Sequence, residues 1–391
     1  MSVRIVGIGT ALPPFAYPQS EVKAIMRRWI GGDRRVDRTL ERVYDASGIE
    51  RRFSVLPDFR PDAAPGLFRG NGEAAFRRPT TAARNARYGA TAPALLERAA
   101  RRALAAAPAP LRGRVTHVVT VSCTGFQAPG VDDHLVRALG LAPTTERYHL
   151  GFMGCYAAFP ALRMARAFCL ADPDAVVLVA SVELCTLHLD PSRDVDSIIS
   201  TAVFADGAAA ALVTAADVPA VVGAPARRGL ELLASATTLT RNGKADMAWT
   251  IGDHGFEMVL TSYVPRVLEA EAEEAVAPLL RAGGVTLADV DAWALHPGGR
   301  AILDKVESAL GLSPAALVAS RAVLAQAGNM SSASVLFVLQ RLLGDGCEEL
   351  DPRAGPAGDG APAPPPGAVV AALAFGPGLT VDSALLRIVT V

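Results

Sequence analysis

The stretch VVTVSCTG at residues 118–125 decides the fold, because its pattern returns in the second half of the chain. A short apolar, β-branched run that ends in a turn signal is typical of a buried strand. The stretch WALHPGG at residues 293–299 has the same form. Each is followed by a helical pattern that ends in Ala-Leu-Gly-Leu, at residues 138–141 and 309–312. We therefore interpret the chain as an internal duplication.

The match continues beyond these two motifs. Gly154 and Gly328 each open a stretch with the pattern of an amphipathic helix, and both helices lead to β-rich runs, at residues 175–180 and 368–373. The second half reaches its run only after residues 350–367, a proline-rich segment that predicts a surface loop. The two starting strands also match weakly, residues 4–13 against residues 231–240.

Strands that alternate with helices in each half predict two α/β layers with largely covered sheets. Two such halves related by a pseudo-twofold axis describe the thiolase fold, an α/β fold with a five-layered αβαβα core. We place the boundary near residues 219–229, which gives an N-terminal half at 1–220 and a C-terminal half at 230–391. We expect the two halves to share one core.

The composition excludes several classes of protein. Of 391 residues, 51% are apolar and 20% charged, and the formal net charge is −1. This composition predicts a folded chain and argues against a nucleic-acid-binding protein. No apolar run approaches the ~20 residues of a membrane span, so we expect a soluble, cytoplasmic protein. Arginine supplies all but three of the 38 basic residues, which suggests a GC-rich, bacterial source.

The five cysteines lie far apart, with no CxxC pair and no histidine run at metal-ligand spacing. We therefore expect reduced thiols and no metal site.

The duplicated frame brings three reactive side chains together. Cys155 and Asn329 would occupy equivalent helix starts, and His296 would end the strand beside the helix of Asn329. A helix N-terminus and a nearby imidazole both stabilise a thiolate, so we expect Cys155 to be charged and nucleophilic near neutral pH. Histidine and asparagine N–H groups can also donate to an oxyanion.

Ordinary structural roles are open for each of these residues. A cysteine in an apolar stretch is usually a small core residue. His296 precedes Pro-Gly-Gly and suits a turn, and Asn329 suits an N-cap. Only their joint placement favours chemistry. A papain-like protease also uses cysteine, histidine and asparagine, but its Cys-Gly-Ser-Cys-Trp type of signature is absent.

Five motifs resemble those of type III polyketide synthases, the chalcone- and stilbene-synthase-like family, and especially those of bacterial members. They stand in the family's order and span nearly the whole chain: GFMGCYAA at residues 151–158, FADGAAA at 204–210, HPGG at 296–299, GNMSS at 328–332 and FGPGLT at 375–380. Ala374 replaces the first glycine of the last motif.

The resemblance implies roles for further residues. Cys155 would hold the growing chain, with His296 and Asn329 as its catalytic partners. Phe204 and Phe256 match two phenylalanines at the junction of the coenzyme A tunnel and the cavity, although core packing is the default role of phenylalanine. The remaining candidates are cavity-lining or substrate-binding positions and one contact to the coenzyme A phosphates: Cys123, Thr186, Ser331, Gly376 and Pro377, and Arg42.

The resemblance also implies the activity. Such an enzyme needs no cofactor beyond its substrates, an acyl-CoA starter and malonyl-CoA, and it acts as a homodimer. It condenses malonyl units repeatedly and cyclises the product, for example to a pyrone or a resorcinol. Two alternatives stay open at this point: a β-ketoacyl synthase III-like enzyme that condenses once on acyl carrier protein, and a silent paralogue that binds acyl-CoA.

Overall fold

A computed structural model describes residues 1–60, 66–69, 76–215, 227–344, 349–350 and 363–391. The predicted boundary at residues 219–229 lies mostly outside the described residues, as do Cys347 and most of the predicted loop at 350–367. The placement of the boundary therefore stays a prediction. Cys123, Cys155, Cys169 and Cys185 are buried free thiols.

Thirteen strands and ten α-helices make up the described fold. The strands are β1 Val3–Ala11, β2 Phe15–Pro18, β3 Arg51–Ser54, β4 His117–Ser122, β5 Glu146–Gly151, β6 Val176–Leu184, β7 Asp206–Ala215, β8 Arg228–Leu239, β9 Met247–Gly252, β10 Gly255–Leu260, β11 Ala292–Leu295, β12 Val369–Gly376 and β13 Thr380–Thr390. The helices are α1 Gln19–Ile30, α2 Arg34–Ala46, α3 Thr81–Ala106, α4 Val131–Ala138, α5 Ala158–Ala171, α6 Val195–Val203, α7 Val264–Gly283, α8 Arg300–Ala309, α9 Val318–Ala327 and α10 Ser334–Leu342.

Nine strands form one mixed sheet in the order β11-β12-β13-β8-β1-β7-β6-β4-β5. The two starting strands, β1 and β8, pair antiparallel at its centre. Outward from them, β7, β6 and β4 on one side correspond to β13, β12 and β11 on the other, with the same alternation of antiparallel and parallel pairing. The predicted duplication is confirmed, and β5 is the strand by which the first half exceeds the second in this sheet.

The helices complete five layers. Helix α5 packs on strands of its own half and also on β8 and β13 of the other half, while α10 packs on β11 and β12 and also on β1 and β7. These two helices therefore form the central layer. Helix α3 covers β1, β6 and β7 from outside, and α7 covers β8 and β13. The predicted αβαβα arrangement is confirmed.

The repeated Ala-Leu-Gly-Leu motifs end α4 and α8 with the same turn. Gly140 and Gly311 have left-handed φ values of 65° and 61°. In both turns the glycine N–H bonds to a carbonyl three residues back, and the next N–H bonds to one five residues back. This is the Schellman arrangement, in which glycine is favoured because it has no Cβ to clash.

Close contact between α3 and β1 depends on glycine. A Cβ at Gly9 would meet the backbone of Ala99 and Ala103 in α3, and backbone atoms cannot move aside as a flexible side chain can. The Gly9→Ala variant is therefore expected to lose about 2 kcal/mol of stability, measured by denaturant unfolding. Gly113→Ala is the matched control, because a Cβ at Gly113 would meet nothing within 4 Å. Equal stability of the two variants would contradict the proposed packing constraint.

Candidate active site

The predicted catalytic residues lie around one cavity, which has an empty volume of about 590 Å³ including its opening. It lies where loops from both halves meet the β9–β10 hairpin, a two-stranded sheet separate from the nine-stranded one. The lining is mostly apolar. Its residues are Cys123, Thr124, Gly154, Cys155, Cys185, Phe204, Met247, Trp249, Met258, Leu260, His296, Gly298, Ile302, Asn329, Ser331, Phe375 and Pro377.

Cys155 lies in the turn that precedes α5, three residues before the helix begins at Ala158. Burial raises the pKa of its thiol to about 12, opposed by hydrogen bonds with the side chains of Ser331 and Asn329. The expectation of a charged thiolate near neutral pH is therefore wrong for the thiol taken by itself. The physical reason is the dry, apolar surroundings, which penalise the anion more than the nearby donors stabilise it.

His296 follows β11 directly, and its backbone N–H donates to Leu373 O at 2.7 Å. The imidazole is buried, and within the described residues neither Nδ1 nor Nε2 has a hydrogen-bond partner. Burial lowers the pKa of His296 to about 3, so the ring is neutral at pH 7. Two free ring nitrogens in a cavity wall leave this group available to a ligand as donor and as acceptor.

Hydrogen bonds hold both the backbone and the side chain of Asn329. Its backbone N–H donates to Val203 O at 2.9 Å, and its carbonyl accepts from Ala205 N–H at 2.8 Å. The side-chain Oδ1 accepts the Ser331 N–H at 2.8 Å, and Nδ2 donates to Gly298 O at 3.2 Å. The amide therefore does cap a local turn, and its orientation leaves the second Nδ2 proton for another acceptor.

The other predicted site residues differ in their position relative to the cavity. Cys123, Phe204, Ser331 and Pro377 line the cavity. Gly376 lies behind the wall, where a Cβ would meet the ring of Tyr156.

Thr186, Phe256 and Arg42 do not line the cavity. The hydroxyl of Thr186 donates to Asp206 at 2.6 Å and is 2.7 Å from the hydroxyl of Ser54. The ring of Phe256 is buried and stacks on His188 at 4.1 Å. Arg42 is exposed on α2.

The sequence analysis missed Cys185 and the hairpin residues of the wall. Cys185 lines the cavity and directly precedes Thr186, the position that the sequence analysis named in this segment. Met247 and Trp249 on β9, and Met258 and Leu260 on β10, lie in the wall at every second position. Such period-two apolar spacing in two short adjacent runs is the pattern that predicts a half-buried hairpin.

Glu183 is a buried carboxyl behind the cavity wall. It accepts the Cys123 N–H at 2.9 Å and the hydroxyls of Thr124 at 3.1 Å and Ser332 at 2.5 Å. Burial raises its pKa to about 7 in spite of these donors. Since Ser332 belongs to the second half and the other two residues to the first, Glu183 ties the two halves together beside Cys155.

The chain matches known proteins over almost its whole length. The N-terminal domain model of the chalcone and stilbene synthases matches residues 2–217, and the C-terminal domain model matches residues 231–390. Among solved structures, PKS-I from the brown alga Ectocarpus siliculosus is similar with a TM-score of 0.83 and 28% identity over 99% of this chain and 98% of that one.

Two further structures agree in length and fold. The C-terminal type III polyketide synthase domain of Steely1 from Dictyostelium has a TM-score of 0.84 and 26% identity, covering 99% of both chains. A type III pentaketide synthase from Neurospora crassa has a TM-score of 0.80 and 28% identity over 98% of this chain and 99% of that one. In the described part of this chain, no helix has the length and apolar character to cross a membrane.

The raised pKa of Glu183 predicts a pH effect on stability. The carboxyl has an ordinary pKa of 4.5 in the unfolded chain and about 7 in the fold, so the folded state binds more protons between these values and stability falls as pH rises through them. Glutamine cannot ionise. Between about pH 5 and about pH 8, the free energy of unfolding of Glu183→Gln should therefore fall by about 2 kcal/mol less than that of the parent protein.

Denaturant unfolding at a series of pH values measures this difference. Glu257→Gln is the matched control, since Glu257 is exposed on β10 and its removal should leave the pH dependence of the parent. Parallel curves for Glu183→Gln and the parent protein would show that Glu183 does not carry the effect.

Proposed function

The chain belongs to the chalcone and stilbene synthase family and is a polyketide synthase, and we propose that it extends an acyl-CoA starter held on Cys155 by repeated decarboxylative condensation with malonyl-CoA. The observation that carries the proposal is the convergence of Cys155, His296 and Asn329 on one apolar cavity. A thiol, an imidazole and an oriented amide are the groups this chemistry needs.

Loading begins with a proton transfer. Burial disfavours thiolate and imidazolium separately, but the two opposite charges stabilise each other in a low dielectric when they form together. The Cys155 proton moves to His296, and the thiolate attacks the carbonyl carbon of the starter thioester. Coenzyme A leaves as a thiolate and takes the proton back from His296.

Extension uses the same groups differently. Malonyl-CoA loses carbon dioxide, and the electron pair of the broken bond becomes an enolate. The neutral His296 ring and the Asn329 amide donate N–H groups to the enolate oxygen. The enolate carbon then attacks the thioester on Cys155, which releases the Cys155 thiolate and leaves a chain two carbons longer on coenzyme A.

The cavity supports an apolar starter. Its wall is built from methionine, leucine, isoleucine and aromatic side chains, which stabilise an alkyl chain by removing it from water. We therefore propose a long-chain acyl-CoA starter and a cyclised pyrone or resorcinol product. Arg42 is proposed to contact the coenzyme A phosphates, because it is exposed and an arginine fork suits phosphate. We further propose that the enzyme is homodimeric, cytoplasmic and of bacterial source.

The test is an incubation of pure protein with malonyl-CoA and short, aromatic or long-chain acyl-CoA starters, followed by mass spectrometry of the products and of the protein. The parent protein should carry an acyl group on Cys155 and release cyclised polyketides. Cys155→Ala should form no acyl-enzyme and lose about 10³-fold or more in turnover, because the nucleophile is gone.

Cys169→Ala is the matched control. Cys169 is a buried thiol in α5, away from the cavity, with its Sγ directed at the carbonyls of Ala175 and Val213. This variant should still make product. Single condensation that requires acyl carrier protein would support a β-ketoacyl synthase III-like enzyme instead. No turnover with any starter would support a silent acyl-CoA-binding protein.

A further inference from the structure

Arg52 is a buried cation at the place where the two halves meet beside the cavity. It lies in β3, and only 3% of its surface is exposed. Its guanidinium donates to three neutral oxygens: from Nε to Gln19 Oε1 at 2.9 Å, and from Nη1 to the backbone carbonyls of Thr201 at 2.8 Å and Phe204 at 2.7 Å. Burial of a charge without a hydrogen-bonded counter-ion costs free energy, so an arginine at this position calls for a specific explanation.

Phe204 belongs to a backbone bridge between the two halves. Phe204 and Asn329 form an isolated parallel β-bridge. Asn329 N–H donates to Val203 O at 2.9 Å, and Asn329 O accepts from Ala205 N–H at 2.8 Å. The bridge therefore joins the segment after α6 to the turn that carries the Asn329 amide, and the position of that amide depends on residues 203–205.

Arg52 contacts both sides of this bridge. On the side of the first half, its guanidinium holds the Phe204 carbonyl. On the side of the second half, its aliphatic stem packs against Gly328, where a Cβ would lie 3.0 Å from Arg52 Cγ. The neighbouring backbone follows the same course, since Glu50 N–H donates to Ala325 O at 2.8 Å near the end of α9. Strand β3 therefore lies across the junction of the halves.

The three acceptors around Arg52 suit a guanidinium and no other side chain. Its N–H donors form a rigid planar fork, so one side chain can bond to a side-chain amide and to two backbone carbonyls at the same time. Lysine has a single nitrogen at the end of a flexible stem, and it cannot reproduce this arrangement. The fork therefore fixes the segment at residues 201–204 in orientation as well as in distance.

We propose that Arg52 is a positioning residue that holds the Asn329 amide, through the bridge at Phe204, in the orientation needed for decarboxylation. This inference rests on the proposed function, in which the amide donates to the enolate oxygen while Cys155 and His296 carry out loading. A displacement of about 1 Å can lower the rate of a step about 10²-fold. Loss of the Arg52 contacts should therefore slow decarboxylation far more than loading.

The experiment measures the two steps separately in Arg52→Lys, which keeps the charge and loses the planar fork. Loading is followed by mass spectrometry of the intact protein, as acylation of Cys155 by an acyl-CoA starter without malonyl-CoA. Decarboxylation is followed as carbon dioxide release after malonyl-CoA is added to the loaded protein. Arg52→Lys should lower the rate of carbon dioxide release about tenfold or more and leave the acylation rate within about threefold of the parent rate.

Two further variants grade the effect. Arg52→Met removes every donor and should slow carbon dioxide release more than Arg52→Lys does, so that lysine acts as a partial rescue. Gln19→Met removes the acceptor of Arg52 Nε and allows a decision if Arg52→Met does not fold. It should slow carbon dioxide release by about threefold, again with little effect on acylation.

Tyr17→Phe is the matched control. Tyr17 is the cross-strand neighbour of Arg52 in the sheet of β2 and β3, and its buried hydroxyl donates to Leu56 O at 2.7 Å. The variant therefore loses a buried hydrogen bond in the same small sheet and keeps the contacts at the bridge. It should lower the melting temperature and leave the ratio of the two rates unchanged.

The positioning role would be overturned if the Arg52 variants lowered the melting temperature while both rates fell by the same factor, or while neither rate changed. Arg52 would then contribute to stability alone. Failure of the proposed function has a different result, since the parent protein itself would then show no acylation of Cys155 and no release of carbon dioxide from malonyl-CoA.

Discussion

The antiparallel pairing of β1 with β8 is the interaction on which the arrangement of this protein depends. It is short, with Arg4 opposite Glu231 and Ile5 opposite Leu230, but it joins two similar sheets edge to edge. Their inner faces must then be covered by helices from both halves, since a half-covered sheet would expose apolar surface. Helices α5 and α10 meet this requirement in the central layer, and the segments that precede them, with Cys155 and Asn329, converge at the cavity.

Burial at this junction has a common electrostatic consequence. The groups in and behind the cavity wall are driven toward their neutral forms: the pKa values of Cys155 and Glu183 are raised and that of His296 is lowered. Desolvation is the largest cause in each case. In a cavity of this kind the thiol and the imidazole are uncharged before substrate binds. Once a substrate has excluded water, the stability of a charge pair or an oxyanion depends strongly on preorganised donors.

Much of this architecture could be predicted because the duplication is written in the sequence. The repeated strand and turn motifs predicted the two halves. The equivalent positions of Cys155 and Asn329, with His296 beside them, predicted that these three residues lie together, and all three line one cavity. The hairpin was not predicted, because its four lining residues belong to short apolar runs without a counterpart in the first half. Cys185 was missed for a similar reason: in the short helical turn after β6 the strand alternation no longer indicates which side chain points inward.

The two halves share a backbone plan and differ in their reactive side chains, and the two steps of the proposed mechanism depend on that difference. Gly154 and Gly328 have positive φ values of 87° and 73° just before Cys155 and Asn329, so a left-handed glycine precedes the thiol in one half and the amide in the other. Cys123 and His296 occupy equivalent positions directly after β4 and β11, and both line the cavity. A symmetric pair of thiols could form a thioester but could not stabilise an enolate, and a symmetric pair of amides could stabilise the enolate but could not hold the chain. In the proposed mechanism, divergence at these few positions on a duplicated scaffold therefore supplies both the covalent attachment and the oxyanion donors within one dry cavity.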